Sequence, residues 1–216
     1  FFAVTGYYGV EFFLPSILQK WYHLSFDQLT WLVILPPIAS LVGQLLVGWN
    51  SDRTGERRFH AVVPIVIAGI ALALTPWSEG NLGLTMGLFC VALFGMKAYL
   101  PAFWAMPSLF LTSSAAAASI GFINSFGNLG GWLGPVTIGG LETLTGSFTN
   151  GIYLLSLSMV LGGVAIALLG LGRRETPTTP DAPESQRSVE PASAAPPAPE
   201  SATPASGGSG TGTSSR

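Results

Sequence analysis

The chain has 216 residues, 49% of them hydrophobic and 9% charged, with a formal net charge of −2. Soluble domains carry roughly one quarter charged residues, so this composition, with its positive mean hydropathy, excludes an ordinary soluble domain and places the chain in a bilayer. Charge is segregated: residues 1–174 hold seven basic and six acidic side chains, whereas 175–216 hold two basic and five acidic.

Phe1 opens directly on apolar sequence, without an initiator Met or a basic flank, so no signal peptide is read and the chain is expected to continue a helix of a longer protein. Apolar runs separated by Gly, Pro and charge then predict six spans, a crossing helix needing about 20 residues for roughly 30 Å of hydrocarbon. The first covers residues 1–18 and is ended by Gln19-Lys20. The second covers 28–48, with Pro36-Pro37 inside it as an expected kink. A dense charge cluster, Gly48 to Arg58, precedes the third span at 61–76, and Trp77 to Asn81 turn the chain back. The fourth span, 82–111, is interrupted by Pro101 and Pro107. Thr112, Ser113 and Ser114 offer N-caps to the fifth, 115–141, and Arg173-Arg174 stop the sixth, 151–172. From Thr176 onward Pro, Ala, Ser, Thr and Gly dominate without an aromatic residue, too little apolar area to repay ordering entropy. The predicted fold class is therefore all-α integral membrane: a six-helix bundle over 1–173 and a disordered tail over 174–216.

Arg53, Arg57, Arg58, Arg173 and Arg174 fall on one side of such a bundle, and Lys20 with Asp27, Glu79 and Glu142 on the other. The excess of Arg puts the second loop and the tail in the cytoplasm. The lone Cys90, inside an apolar run, gives neither a disulfide nor metal spacing and reads as a small buried hydrophobe. His23 and His60 lie in loops on opposite sides, and no His cluster, Ser-His pairing or HExxH spacing supports a membrane enzyme. The absence of a phosphate loop disfavours nucleotide-driven transport.

Gly48-x-x-Ser51-Asp52-Arg53-x-Gly55-x-Arg57-Arg58, between the second and third helices of a six-helix set, resembles the signature loop of the major facilitator superfamily. Phe103-Trp104-Ala105-Met106-Pro107, the alanines 115 to 118, and Ile123-Asn124-Ser125-Phe126-Gly127-Asn128-Leu129-Gly130-Gly131-x-x-Gly134-Pro135 resemble the C-terminal half of the anion:cation symporter family. Tyr8-Gly9-Val10 and Leu14-Pro15 fit the same half. The resemblance covers about residues 1–172. It implies helices seven to twelve of a twelve-helix carrier, with a missing N-terminal six-helix half. The implied activity is alternating-access transport of small organic anions, such as sugar acids, tartrate or phthalate, across the inner membrane. Its implied partners are the anion, a proton or cation as co-substrate, and membrane lipid, with no cofactor and no nucleic acid. A non-transporting membrane sensor or interaction protein, built on a transporter-like half, is the alternative.

The same resemblance implies that Gly48, Asp52, Arg53, Gly55, Arg57 and Arg58 form a cytoplasmic latch. Asp52 would bond the start of the fifth helix near Thr112 to Ala115, and Arg53 would pair with nearby acids; a plain positive-inside anchor is the other reading. Glu56 departs from the more basic form of the motif. Lys97 lies about 15 residues, or roughly 22 Å, into the fourth span, where a Lys is expensive and marks a cavity or a partner. It either attracts an anionic substrate or pairs with an acid. Asn124 and Asn128, four apart, share a helix face and serve either solute contact or interhelical bonding. Trp104 reads by the resemblance as a cavity residue, with an interfacial belt as the alternative. Tyr7 and Tyr8 offer hydroxyl contacts or core packing, and Gln44 is ambiguous. Glu11, an acid inside a span and partly removed from water, is the coupling candidate; pairing with Lys97 is the alternative, across a depth difference of roughly 10 Å at 1.5 Å per residue. Gly127, Gly130 and Gly134 share a flank suited to close helix packing.

Overall fold

The computed structural model describes residues 1–107 and 113–169, with the backbone alone for 113–116. The predicted tail, the stop at Arg173-Arg174 and the caps offered by the side chains of Thr112 to Ser114 lie outside the described residues. The described residues are helical, without a strand: α1 Phe2–Tyr22, α2 Phe26–Leu32, α3 Leu35–Thr54, α4 Arg58–Leu74, α5 Leu82–Ala98, α6 Leu100–Ala105, α7 Ser113–Thr145 and α8 Thr149–Leu168, with a 3-10 turn at Thr75–Ser78. Four stretches among them are long and apolar enough to cross a membrane: Phe26–Thr54, Arg58–Ser78, Leu82–Ala105 and Thr149–Leu168.

Where the boundaries differ from the sequence reading, local chemistry explains the difference. Gln19-Lys20 does not end the first helix, because a Lys in the last turn complements the negative end of the helix dipole. The helix ends instead where His23 turns left-handed at φ 49°. A Ser25–Gln28 capping box starts α2, and the chain breaks before Pro36-Pro37 rather than kinking at them. The two prolines fall in the first turn of α3, where a missing N–H costs nothing. The same logic divides the fourth span: α5 ends at Ala98, and Pro101 stands in the first turn of α6. The charge cluster is mostly helix, since α3 runs to Thr54 and the connection to α4 is only Gly55-Glu56-Arg57. Gly55 closes α3 at φ 68°, a conformation that costs glycine no Cβ strain.

α1 packs chiefly against α7 and α8, α4 against α5 and α8, and α3 against α5. Small residues allow these crossings to be close. A Cβ added at Gly134 would come 2.2 Å from the Thr5 carbonyl oxygen, one at Gly130 2.6 Å from that of Phe1, and one at Gly95 2.2 Å from that of Pro64. With no hydrophobic force between helices in lipid, such contacts and interhelical hydrogen bonds carry association. Three serines supply the bonds: Ser40 Oγ donates to the Leu93 carbonyl at 2.9 Å, Ser156 Oγ to Gly69 at 2.7 Å and Ser158 Oγ to Phe2 at 2.9 Å. Ile17, Leu18, Ile65, Leu72, Phe89, Met96, Leu155 and Met159 are fully buried between them. Outward faces of α3 (Ile38, Leu41, Leu45) and α7 (Phe122, Leu129, Trp132) remain exposed and apolar, as lipid or a further helix layer requires.

Candidate functional site

The broken α5–α6 segment, the first turns of α1, the middle of α7 and the last turns of α8 line a cavity of about 330 Å³ that is open on one side. Its volume falls near the lower end of the roughly 300–1,000 Å³ usual for small-ligand sites. Six residues singled out from the sequence line it together: Tyr7, Tyr8, Lys97, Trp104, Asn124 and Asn128. The geometry follows from local structure. The break at Tyr99, set by the proline two residues on, releases α6 so that Phe103 and Trp104 form an aromatic wall, their ring centroids 5.3 Å apart. Asn124 and Asn128 project from one face of α7 on either side of Gly127, which approaches Val4 of α1. Among the described residues neither carboxamide has a hydrogen-bond partner, which leaves its donors and acceptor open to a solute there.

Lys97 lies in the last turn of α5, half-buried, with its ammonium 3.7 Å from the centroid of the Tyr7 ring. Among the described residues no carboxylate lies within salt-bridge distance of it. A cation over an aromatic face is attracted by the ring quadrupole, which holds the charge without neutralising it. The Tyr7 hydroxyl donates to Glu11 Oε1 one helical turn further on. Lys97 and Glu11 are thus joined through Tyr7 rather than as a direct pair, which the depth argument alone did not anticipate. Glu11 is exposed on the described chain rather than partly removed from water.

The charged cluster occupies a separate place. Asp52 Oδ1 accepts from Arg57 Nη1 at 2.6 Å, and Arg57 also donates to Ser51 Oγ at 3.1 Å. The predicted Asp52 partner region, Thr112 to Ala115, lies outside the described side chains. Arg53 does not meet an acid among the described residues; its guanidinium stacks on Trp49 at 5.5 Å, because the cluster is still helical there and Trp49 lies four residues back. Gly48 lets α3 approach Pro101, to which an added Cβ would come within 3.2 Å. Arg58 donates to the Ala167 carbonyl at the end of α8, a cation satisfying an orphan carbonyl. Glu56, read as a departure from the motif, caps α4: its carboxylate accepts from the Phe59 N–H at 2.8 Å and the His60 ring at 2.9 Å. Desolvation pushes this carboxyl up, but those bonds outweigh it and hold it below the ordinary carboxylate value.

Sequence reasoning missed several contributors. Tyr99 is buried, packs edge-on to Phe103 at 5.9 Å and lines the cavity; its place directly before Leu100-Pro101 was the available signal. Lys20 and Glu142, assigned to one side as separate loop charges, form a 2.5 Å ion pair between α1 and α7. Tyr22, Ser78 and Thr85 form a hydrogen-bonded cluster, with Thr85 Oγ1 2.6 Å from both Tyr22 Oη and Ser78 Oγ. Gln44 is half-buried on α3 and does not line the cavity. Cys90 is half-buried rather than buried, since α5 presents it between core and periphery. His60, placed in a loop by the sequence reading, stands in the first turn of α4.

Comparison with known proteins adds an independent line. The family profile described as Major Facilitator Superfamily matches residues 1–207. The inner membrane transport protein RhmT of Escherichia coli is 36% identical over 174 residues, which is 79% of this chain and 40% of that protein. A candidate tartrate transporter of Agrobacterium vitis is 35% identical over 165 residues, 76% of this chain and 38% of that protein. A quinolone resistance transporter of Acinetobacter baumannii is 33% identical over 173 residues, 79% of this chain and 40% of that protein. The chain thus spans about two fifths of the length of these curated relatives. No solved structure matches the chain.

Proposed function

The chain belongs to the Major Facilitator Superfamily, a family of multi-pass membrane carriers and not of enzymes, and from that premise we propose that it is the C-terminal half of a carrier for small organic anions. In this reading six helices cross the inner membrane: α1, α2–α3, α4, α5–α6, α7 and α8. A further six-helix half faces the open side of the cavity, and the tail is cytoplasmic. The resemblance to the anion:cation symporter family supports proton or ion coupling.

One observation carries the reading. The Lys97 ammonium faces a cavity lined by two carboxamides without a described partner and by an aromatic wall; no carboxylate lies within salt-bridge distance of it among the described residues, and Glu11 reaches it only across the Tyr7 ring. A membrane-depth cation without a direct ion pair favours an anionic visitor, and Asn donors suit a carboxylate. Relatives named for tartrate and for cis,cis-muconate, the latter from Acinetobacter baylyi at 28% identity, support small carboxylates as the class. Alternating access then rocks this half against the other around the site. Asp52, Arg57 and Gly55 act in that cycle as a latch whose pairing differs between the two states.

The full-length protein in proteoliposomes tests this with labelled tartrate, cis,cis-muconate and nicotinate under an imposed inside-alkaline gradient. At least one probe is expected to accumulate, and Lys97→Met is expected to lower its uptake at least tenfold. An unchanged apparent affinity and rate in that variant would remove Lys97 from the site.

A further inference from the structure

Tyr7 lines the cavity and packs against the core, and it also touches two charged groups. Its ring face carries the Lys97 ammonium at 3.7 Å, while its hydroxyl donates to the Glu11 carboxylate. One phenol therefore touches the cation of the anion site and the acid of the first helix at once. We infer that Tyr7 is a positioning residue that couples anion occupancy at Lys97 to protonation of Glu11, so that an anion and a proton are bound together. The inference rests on the carrier reading above and specifies how that site is regulated.

The link between the two groups is electrostatic. With the cavity empty, Lys97⁺ and Glu11⁻ balance across a single ring. An anion arriving at Lys97 leaves the Lys97–Tyr7–Glu11 group with an excess negative charge, and a nearby negative charge disfavours an ionised carboxylate. A proton taken up by the Glu11 carboxylate, giving the neutral acid, restores the balance. Tyr7 links the two events. While Glu11 is ionised, the phenol donates to it and the ring becomes more electron-rich, which strengthens its hold on the Lys97 ammonium. Once Glu11 is neutral that polarisation falls, the ring releases the ammonium, and Lys97 is free to meet the anion. Because coupling between binding sites is reciprocal, the anion raises proton affinity by the same factor.

Few other groups compete. Helices packed on α1 carry Lys97 and Cys90 on α5, Glu142 on α7, Tyr153 on α8 and Asp27 on α2. Tyr99 follows α5, and α1 itself adds Tyr8, Lys20 and Tyr22. Glu142 is bound to Lys20, Tyr22 to Ser78 and Thr85, and Lys97 is within electrostatic reach of Glu11.

Two variants of the full-length protein test the inference, with the best of the three probes above. In Glu11→Gln, probe exchange at zero gradient is expected to persist and to become independent of pH between 5 and 8, while gradient-driven accumulation falls at least fivefold. In Tyr7→Phe the ring stays under Lys97 but the hydroxyl is lost; exchange is expected to persist with its pH profile shifted and accumulation reduced at least threefold. Loss of packing alone would lower both activities without moving the pH profile. If Glu11→Gln fails to insert, Tyr7→Phe decides. Wild-type accumulation and pH dependence in Tyr7→Phe, or in an inserted Glu11→Gln, would overturn the inference while leaving the carrier reading intact. A wild-type protein that exchanges none of the probes would overturn both.

Discussion

Gly134 shows how much one residue can decide in this bundle. Its backbone comes so close to α1 that a Cβ would stand 2.2 Å from the Thr5 carbonyl oxygen and 3.0 Å from the Gly9 amide nitrogen. Backbone on the far side cannot step aside as a flexible side chain could. Gly134→Val is therefore expected to push α7 from α1 and cost about 3 kcal/mol, the upper part of the range for overpacking. Thermal unfolding in detergent checks this: a midpoint within 2 °C of wild type would refute the close-approach account. This role was legible in the spacing of Gly127, Gly130 and Gly134. What they pack against was not, because periodicity names a face but not its partner. The same holds for Asn124 and Asn128, which share a face by their spacing but reach the cavity only because α1 and α6 stand opposite.

At the scale of elements, the connection between α3 and α4 is the part that sequence reading most misjudged. A run of charges looks like a loop, yet Gly48 to Thr54 continues α3 and the first turn of α4 begins at Arg58. Glu56 holds that start by accepting from the Phe59 and His60 amides. Loss of a helix cap costs about 1 kcal/mol, so Glu56→Gln is expected to lower stability by about that amount. The pH sign follows from the depressed carboxyl. Its contribution is fully present above the ordinary value of 4.5 and is lost as pH falls through the lower folded value. The wild-type minus Glu56→Gln difference in unfolding midpoint should thus shrink as pH falls below 4. A difference that kept its full size below pH 3 would contradict the capping role. By contrast the Asp52–Arg57 pair is exposed on its Asp side, 73% for that side chain, and such pairs contribute about 0–1 kcal/mol. Its geometry suits a contact that is made and broken.

The described residues form a wall rather than an enclosure. The cavity is bounded by α1, α5–α6, α7 and α8, while apolar faces of α3 and α7 stay uncovered. The relatives are about twice as long. Reconstituted by itself, this chain is expected to pass none of the probe anions, whereas the full-length protein accumulates at least one. Gradient-driven flux from the chain alone would overturn the twelve-helix proposal.

Residue order by itself was enough to determine a helical, bilayer-resident chain and the family to which its loop motif belongs. Those properties depend on local hydropathy, on Gly and Pro placement, and on short spacings that read the same in any fold. Only the tertiary structure decided that Tyr7 stands between Lys97 and Glu11, that Lys20 meets Glu142, and that the α5–α6 break brings Trp104 to the same cavity as Asn124. Each of these joins groups on different helices or across a helix break. Their meeting depends on the rotation and depth at which helices settle, which close approaches such as Gly95 on Pro64 and Gly134 on Thr5 impose and no single segment encodes.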